Sequence, residues 1–153
     1  SDELRIIDTA PEPSFDAAVS LAARLTDCPP ALLGFMDRDR HWFKAVVGAS
    51  TQEVPRDLAL CNQTMHKAGL SVVEDLTSDS RFARHPFVVD AYRLRFFASL
   101  PLRVEGEVVA TLCVYDTQPR SLADTARQGL MQLGQMLEDM LRSRLKEQRS
   151  RLQ

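Results

Sequence analysis

The sequence lacks any apolar run near the roughly 20 residues that a membrane-spanning helix requires. It holds only three cysteines, none of them in a CxxC pair, so neither a disulfide framework nor a common zinc motif is indicated. A large excess of one charge is also missing, because the formal net charge is −2, and this gives no electrostatic attraction for nucleic acid. The remaining composition, with 44% apolar and 26% charged residues, is that of an ordinary globular protein.

The length of 153 residues is enough for one domain with a hydrophobic core. Because the sequence has neither an initiator Met nor a secretory signal pattern, we expect a segment of a longer, cytoplasmic protein. We expect reduced thiols at Cys28, Cys61 and Cys113, which form no disulfide and bind no metal.

The first third of the chain shows one helical pattern followed by two apolar stretches. Apolar residues recur at helical spacing after Ser14, whose hydroxyl is a suitable N-cap, and this predicts a helix over residues 14–27. Asp27-Cys28-Pro29-Pro30 is expected to end the helix, because a proline disfavours helical backbone in the residue before it. Residues 31–36 and 42–47 are predicted to form a β-hairpin across a charged turn.

The rest of the chain up to residue 116 combines a predicted helix, an irregular segment and a second hairpin. A helix is predicted over residues 55–69, with three side chains on its inner face: Leu58, Cys61 and Met65. A short strand over residues 70–74 precedes an irregular segment at residues 75–95. Residues 96–104 and 108–116 are predicted to pair, because a Glu-Gly turn joins them. These short connections imply an α+β fold whose central antiparallel sheet has about five to six strands.

A long helical pattern ends the sequence, since no proline interrupts the chain from Ser121, the predicted N-cap, to Gln153. Its first half is expected to cover the sheet with three side chains: Leu122, Ala126 and Leu130. Further along, apolar residues repeat at close to 3.5 residues, which is typical of a coiled-coil seam. We therefore expect a homodimer in which this helix pairs with its copy in parallel through four side chains: Leu137, Met140, Leu141 and Leu145.

Four segments, in their order and spacing, resemble a known family. They are residues 39–45, which hold the only Trp, and residues 55–61, 95–102 and 110–116. The opening of the chain fits the same pattern through Leu4, Ile7, Asp8, Thr9, Pro11 and Glu12. Together these segments resemble a bacterial GAF domain of the signalling type, and the resemblance covers roughly residues 4–141.

This resemblance implies a sheet with the terminal helices on one face and, on the other face, a ligand cavity roofed by residues 75–95. The ligand is expected to be an unidentified small molecule that contacts eight side chains: Phe35, Phe43, Cys61, Met65, Tyr92, Phe97, Ser99 and Thr111. The domain is expected to span residues 1–141, with a lead-in segment at residues 1–13. Residues 142–153 would then begin a helical linker to an output domain.

The function that the resemblance implies is sensing and regulation in a bacterial signalling protein, beside a histidine kinase or diguanylate cyclase-type output domain. The terminal helices would transmit the ligand state to that output domain. The domain itself is not expected to be an enzyme, and neither nucleic acid nor membrane is expected as a partner. One alternative is a GAF domain without a ligand, which acts only as a dimerisation spacer.

A second alternative is an enzyme that reduces free methionine sulfoxide, a known activity of some GAF-like proteins. Those enzymes carry two of their cysteines in regions that correspond to residues 48–60 and 75–95, and neither region contains a cysteine here. A bilin attached through Cys61 is not expected, because the chain has no Cys-His pair. Haem is not expected either, because His66 and His85 are both interpreted as surface residues.

Overall fold

The computed structural model describes residues 2–28 and 30–153, which form an α+β fold around one sheet. Ser1 and Pro29, which fall in predicted segments, lie outside the described residues. The α-helices are α1 (Pro13–Thr26), α2 (Pro86–Val89) and α3 (Asp124–Arg151). The strands are β1 (Ala31–Met36), β2 (Arg40–Val47), β3 (Glu53–Pro55), β4 (Ser71–Val73), β5 (Phe96–Val104) and β6 (Glu107–Asp116).

In the described part of the chain, six strands form one antiparallel sheet in the order β3-β2-β1-β6-β5-β4. The β5–β6 hairpin closes on Glu105 and Gly106, whose φ values of 54° and 82° are the left-handed pair that a tight two-residue turn requires. The predicted fold class and both predicted hairpins are therefore confirmed. The strand not predicted from the sequence is β3, a short edge strand beside β2.

The larger hydrophobic core lies between the sheet and the two long helices, α1 and α3. The inner face of α3 is lined by side chains that are at most 8% exposed: Ala126, Leu130, Leu133, Leu137, Leu141 and Leu145. At Gly134 this helix approaches β5 so closely that an added Cβ would lie 2.3 Å from Leu100 Cδ2. The part of α3 beyond the sheet is covered by the N-terminal segment, which contributes Leu4 and Ile6 to the same core.

This packing corrects the residues predicted for a dimer seam. Leu137 and Leu141 are fully buried and Leu145 is 8% exposed within their own chain, so these three side chains are unavailable to a second copy. Met140 is partly buried against the same core. The sequence pattern alone could not distinguish a stripe that packs on the sheet from one that packs on a partner, because both need apolar residues at helical spacing.

Residues 75–95, called the roof below, cover part of the opposite face of the sheet and enclose a second, smaller core. Leu76, Phe82 and Val88 from the roof pack in this core with Phe97 of β5 and Tyr115 of β6. The rings of Phe82 and Phe97 meet edge to face, with centroids 6.0 Å apart. The roof therefore covers the sheet over Phe97 of β5 and leaves space over β1, β2 and part of β6, among the residues that the structure describes.

The predicted helix over residues 55–69 is wrong. Two short 3₁₀ turns, Arg56–Leu58 and Leu60–Gln63, stand there instead, separated by the extended residue Ala59 with φ −67° and ψ 123°. The Asn62 side chain donates a hydrogen bond of 2.7 Å to the Arg56 carbonyl, and such side-chain bonds compete with the helical backbone pattern. Of the three predicted inner-face residues, Cys61 is buried, whereas Leu58 and Met65 are half-buried.

Both predicted helix caps are displaced. Helix α1 begins at Pro13, because proline fits the first position of a helix, and Glu12 rather than Ser14 is its N-cap residue. Helix α3 begins only at Asp124, after Ala123, and Ser121 lies outside it. Neither N-cap residue forms a side-chain capping bond. None of the helices in residues 2–28 and 30–153 combines the length and apolar character of a membrane span.

Candidate ligand-binding cavity

A cavity of about 330 Å³ opens on the face of the sheet opposite α1 and α3. Its floor consists of side chains from three neighbouring strands: Leu32 of β1, Phe43 of β2 and Tyr115 of β6. Leu60, Phe87 and Leu94 form walls from the turns after β3 and from the roof, and the loop at residues 48–51 completes the rim. The walls are mainly apolar, as in most small-molecule sites.

His41 lies against this floor and is only 2% exposed. Its ring meets the Phe43 ring edge to face at 5.2 Å, and its Nε2 atom lies 3.4 Å from Thr111 Oγ1 and 3.9 Å from Cys61 Sγ. Burial lowers the pKa of His41 to about 4, because the charged imidazolium would lose its hydration there. His41 is therefore a neutral ring at pH 7.

The mouth of the cavity is bridged by two hydroxyl groups. Tyr92 of the roof and Thr51 of the loop after β2 lie with their hydroxyl oxygens 3.3 Å apart. The Tyr92 ring packs edge to face on Phe87 with a centroid distance of 5.0 Å, although its backbone has a left-handed φ of 69° and the residue is 51% exposed. Tyr92 therefore connects the roof and the rim directly across the opening.

A cluster of buried thiols and hydroxyls lies beneath the roof, beside the cavity. The Cys113 thiol donates to Ser99 Oγ at 3.8 Å, and the Thr111 hydroxyl donates to Cys61 Sγ at 3.7 Å. The neighbouring Cys113 thiol, followed by burial, raises the pKa of Cys61 well above its ordinary value. Because a thiolate is the reactive form, Cys61 is held as an unreactive, buried thiol.

On the other side of β2, a buried lysine connects the sheet to both ends of the domain. A register shift between Leu33 and Gly34 makes Lys44 the extra residue of a β-bulge, facing the N-terminal segment. The Lys44 side chain is fully buried, and its Nζ atom lies 2.5 Å from the Glu12 carboxylate and 2.7 Å from Thr9 Oγ1. Glu12 also pairs with Arg144 of α3 at 2.9 Å. We call Lys44, Glu12 and Arg144 the clamp.

A sequence model of the GAF domain family matches residues 10–140 of this chain. The chain belongs to the GAF domain family. Over 120 residues it is 32% identical to a cyclic di-GMP phosphodiesterase of Pseudomonas aeruginosa, which corresponds to 78% of this chain and 20% of the relative. The chain thus spans about a fifth of the length of that curated relative.

Solved structures share the fold at lower identity. A domain of a two-component sensor histidine kinase protein from Sinorhizobium meliloti superposes with a TM-score of 0.68 and 17% identity, covering 95% of this chain and 100% of the other. A free methionine-R-sulfoxide reductase from Neisseria meningitidis gives a TM-score of 0.67 and 16% identity over 87% and 78% of the two chains. At these identities the likeness shows the fold alone. The family match supports a regulatory domain of a signalling protein, which is the usual role of GAF domains.

Only two of the eight side chains predicted to contact a ligand line the cavity of this GAF domain: Phe43 and Tyr92. Phe97, Ser99 and Cys61 are completely buried in the core beneath the roof. The roof packs directly on this part of the sheet, so these three side chains have no ligand-sized space beside them among the described residues.

The other three predicted contact residues lie elsewhere. Phe35 faces α1 and α3, because it follows Leu33 by two positions and alternate residues of a strand share a face. Met65 and Thr111 line a second groove of about 410 Å³ at the far end of β1. Charged residues line this second groove as well: Asp2, Asp37, Arg38 and Arg56.

The two histidines considered as haem ligands differ in environment. His66 is exposed, as predicted. His85 is half-buried and uses both ring nitrogens, since its Nδ1 accepts from the Phe87 N–H at 3.0 Å and its Nε2 donates to the Leu58 carbonyl at 2.9 Å. Neither nitrogen of His85 is therefore available to a metal in this conformation. Across residues 2–28 and 30–153, no group of three His, Cys, Asp or Glu residues is arranged to hold a metal ion.

Sequence reasoning missed His41, Leu94 and Lys44. His41 and Lys44 flank the Trp-Phe pair in an otherwise apolar strand, and strand alternation alone could have placed Phe43 and Lys44 on opposite faces. The close contact of His41 with Gly34 depends on the pairing register of β1 and β2, which the sequence does not reveal.

Replacing Gly34 with Ala is expected to destabilise the domain by about 1 to 3 kcal/mol, as overpacked cores do. The new Cβ would lie 2.1 Å from His41 Nε2, so the ring would have to leave its place. Urea denaturation measures the change. In a His41→Ala background the same substitution should have almost no effect, and an equal loss in both backgrounds would exclude this steric cause.

The protonation of His41 in the unfolded chain is expected to lower the free energy of unfolding by about 3 kcal/mol as the pH drops from 6.5 to 4. Between pH 6.5 and pH 4 His41 is protonated in the unfolded chain but stays neutral in the folded chain. Protonation therefore favours unfolding. Free energies of unfolding measured across the window for the wild type and His41→Gln test this. The variant should show a flatter pH profile, because the acidic side chains titrate equally in both proteins, and identical profiles would contradict the prediction.

Proposed function

We propose that this GAF domain is the sensory module of a cytoplasmic bacterial signalling protein and binds a small molecule in the cavity over β1, β2 and β6. The ligand state would be passed through α1 and α3 to an output domain. The histidine kinase and cyclic di-GMP phosphodiesterase among the similar proteins support an output domain of one of those signalling types. The observation that carries the proposal is the position of β2 between the cavity and the clamp.

Two neighbouring residues of β2 point to opposite faces of the sheet, one into the cavity and one into the clamp. Phe43 forms part of the cavity floor, and Lys44 points away from the cavity to Glu12, which holds Arg144 of α3. A ligand that shifts β2 therefore changes the geometry of the buried ion pair. Because α3 is one continuous helix to Arg151, a shift at Arg144 is carried to its end. Couplings of this kind typically amount to about 1–3 kcal/mol between two sites.

Native mass spectrometry tests ligand binding. After incubation with a small-molecule extract of bacterial cells, the wild-type domain should retain a bound molecule. Phe87→Glu places a charge in the cavity wall and should abolish retention, whereas Val89→Glu, on the same helix but 49% exposed and outside the cavity, should not. A wild-type domain that stays empty would contradict the proposal and favour the spacer.

The domain itself is proposed to be non-catalytic. The two neighbouring thiols that such an enzyme would need, Cys61 and Cys113, are both fully buried, so neither is the exposed thiolate of a redox centre. A peroxide and methionine sulfoxide turnover assay is expected to show no activity with this domain.

A homodimer is also proposed, with a different surface from the leucine stripe. Leu21 and Leu25 of α1 are 40% and 37% exposed, and Leu25 lies over Gly129 of α3. Met136, which is 59% exposed, follows Gly129 by two helical turns on the same side. Sedimentation should show that Met136→Glu weakens the dimer and that Met131→Glu, exposed on the other flank, does not. A monomeric wild type would refute it.

A further inference from the structure

The lining of the cavity is electrically neutral. Among the described residues that line it, none is Asp, Glu, Lys or Arg. The second groove is lined by four charged residues, so this chain does place charges around concave surfaces. An ionic ligand in the neutral cavity would lose hydration without gaining an opposite charge, which is strongly unfavourable.

Two cations of β2 are directed away from the cavity. Arg40, on the same strand as Phe43, binds Asp8, Asp37 and Glu53. Lys44 is held in the clamp on the opposite face of the sheet. These arginine and lysine side chains therefore cannot neutralise a phosphate or carboxylate in the cavity without giving up their partners.

At the end of the roof the same holds for Arg95, whose guanidinium donates to the carbonyls of Val88 and Leu94 at 2.9 Å. The imidazole on the floor, His41, is neutral at pH 7 because burial lowers its pKa to about 4. No side chain of the described lining thus offers a positive charge at neutral pH.

Aromatic rings surround the space from several directions. Phe43 and Tyr115 lie in the floor, and Phe87 and Tyr92 stand in the wall and at the mouth. Ring edges and faces presented in this way favour a flat aromatic ligand, since aromatic pairs gain energy beyond their buried area. A volume of about 330 Å³ is at the small end of ligand sites, which suits a molecule of about two fused rings.

Polar groups are concentrated at the mouth. Ser50 and Thr51 of the rim lie there with the Tyr92 hydroxyl, which is 3.3 Å from Thr51 Oγ1. These hydroxyls donate and accept hydrogen bonds without carrying charge. They fit a single neutral hydroxyl or carbonyl group at the outer end of a ligand.

Resting on the proposed sensory function, we infer that the ligand of this cavity is an uncharged aromatic molecule of about two rings with a neutral polar group at one end, and that nucleotides and other anions are rejected. The ring system lies between Phe43 and Phe87, and the polar group lies at the mouth beside Thr51 and Tyr92.

Calorimetric titration with three probes at pH 7 tests this inference. 2-Naphthol is neutral and 2-naphthoate is an anion with the same ring system, while cyclic GMP represents nucleotides. We expect 2-naphthol to bind at least tenfold more tightly than 2-naphthoate, and cyclic GMP not to bind. Thr51→Lys, which adds a cation at the mouth, should narrow or reverse the naphthol preference. Ser80→Lys, on an exposed part of the roof outside the cavity lining, should leave it unchanged.

The outcomes separate this inference from the sensory function beneath it. Tighter binding of 2-naphthoate or cyclic GMP to the wild type would overturn the neutral-ligand inference while leaving a small-molecule sensor in place. Failure of all three probes to bind would overturn it too. In that case a molecule retained in native mass spectrometry would preserve the sensory function, and an empty domain would remove both. An unchanged preference in Thr51→Lys would mean that the probes bind outside this cavity and would also overturn the inference.

Discussion

Replacing Glu12 with Ala is expected to destabilise the domain by about 3 to 5 kcal/mol, the usual effect of leaving a buried charge without its partner. The charge concerned is that of Lys44, whose side chain is fully buried and cannot turn to water. Its remaining partners, Thr9 Oγ1 and the Ala10 carbonyl, are neutral. Urea denaturation at pH 7 measures the loss.

The opposite substitution should be milder. Lys44→Met removes the buried charge and keeps most of the side-chain volume, while Glu12 is 39% exposed and retains Arg144. We therefore expect the double variant Glu12→Ala/Lys44→Met to be more stable than Glu12→Ala alone. If Glu12→Ala were no worse than Lys44→Met, the charge of Lys44 would have to be balanced elsewhere.

The contacts of Glu12 in the clamp also determine the direction in which the free energy of unfolding changes with pH. Hydrogen bonding to Lys44, with Arg144 adding to it, lowers the pKa of Glu12 below its ordinary value. The folded chain therefore binds a proton at Glu12 less readily than the unfolded chain. This contribution to stability is complete above the ordinary pKa of glutamate and is lost as the pH falls through the lowered value.

Leu137→Ala is expected to destabilise the domain by about 2 to 5 kcal/mol, because it removes a fully buried side chain from the core between α3 and the sheet. Met131→Ala, on the same helix but outside the proposed dimer surface, should change stability by no more than about 0.5 kcal/mol, since Met131 is 53% exposed. Thermal or urea denaturation of both variants at several protein concentrations measures these changes in stability.

Protein concentration is the informative control in that experiment. If Leu137 stabilised a dimer seam instead, the effect of Leu137→Ala would grow with protein concentration, because association stabilises by mass action. A loss that is the same at every concentration places Leu137 in the core of one chain.

Strand positions could be predicted because the signals are local. β1 and β5 have the predicted bounds, and the Glu105-Gly106 turn has the backbone that its sequence demands. The helix expected over residues 55–69 failed because Asn62 turns its side chain back to a backbone carbonyl, a choice that hydrophobic spacing does not record.

The cavity was harder to predict than the fold. Phe97 and Ser99 are on the expected face of the sheet. Whether a residue on that face contacts a ligand or a packed side chain depends on where the roof contacts the sheet. Phe82 fills the space above Phe97, and no periodicity in the sequence shows that contact. Tyr92 does line the cavity, because it comes at the end of the irregular segment, where the roof opens.

The N-terminal segment and the end of α3 run side by side in opposite directions, since Glu3 pairs with Arg149 and Glu12 pairs with Arg144. A mechanical load applied between the two ends of this domain would therefore open these contacts one after another, starting with Glu3 and Arg149. Such peeling requires less force than shearing all contacts at once. Tension along the polypeptide would reach Glu12, and through it Lys44 of β2, before it reached the central strands β1 and β6.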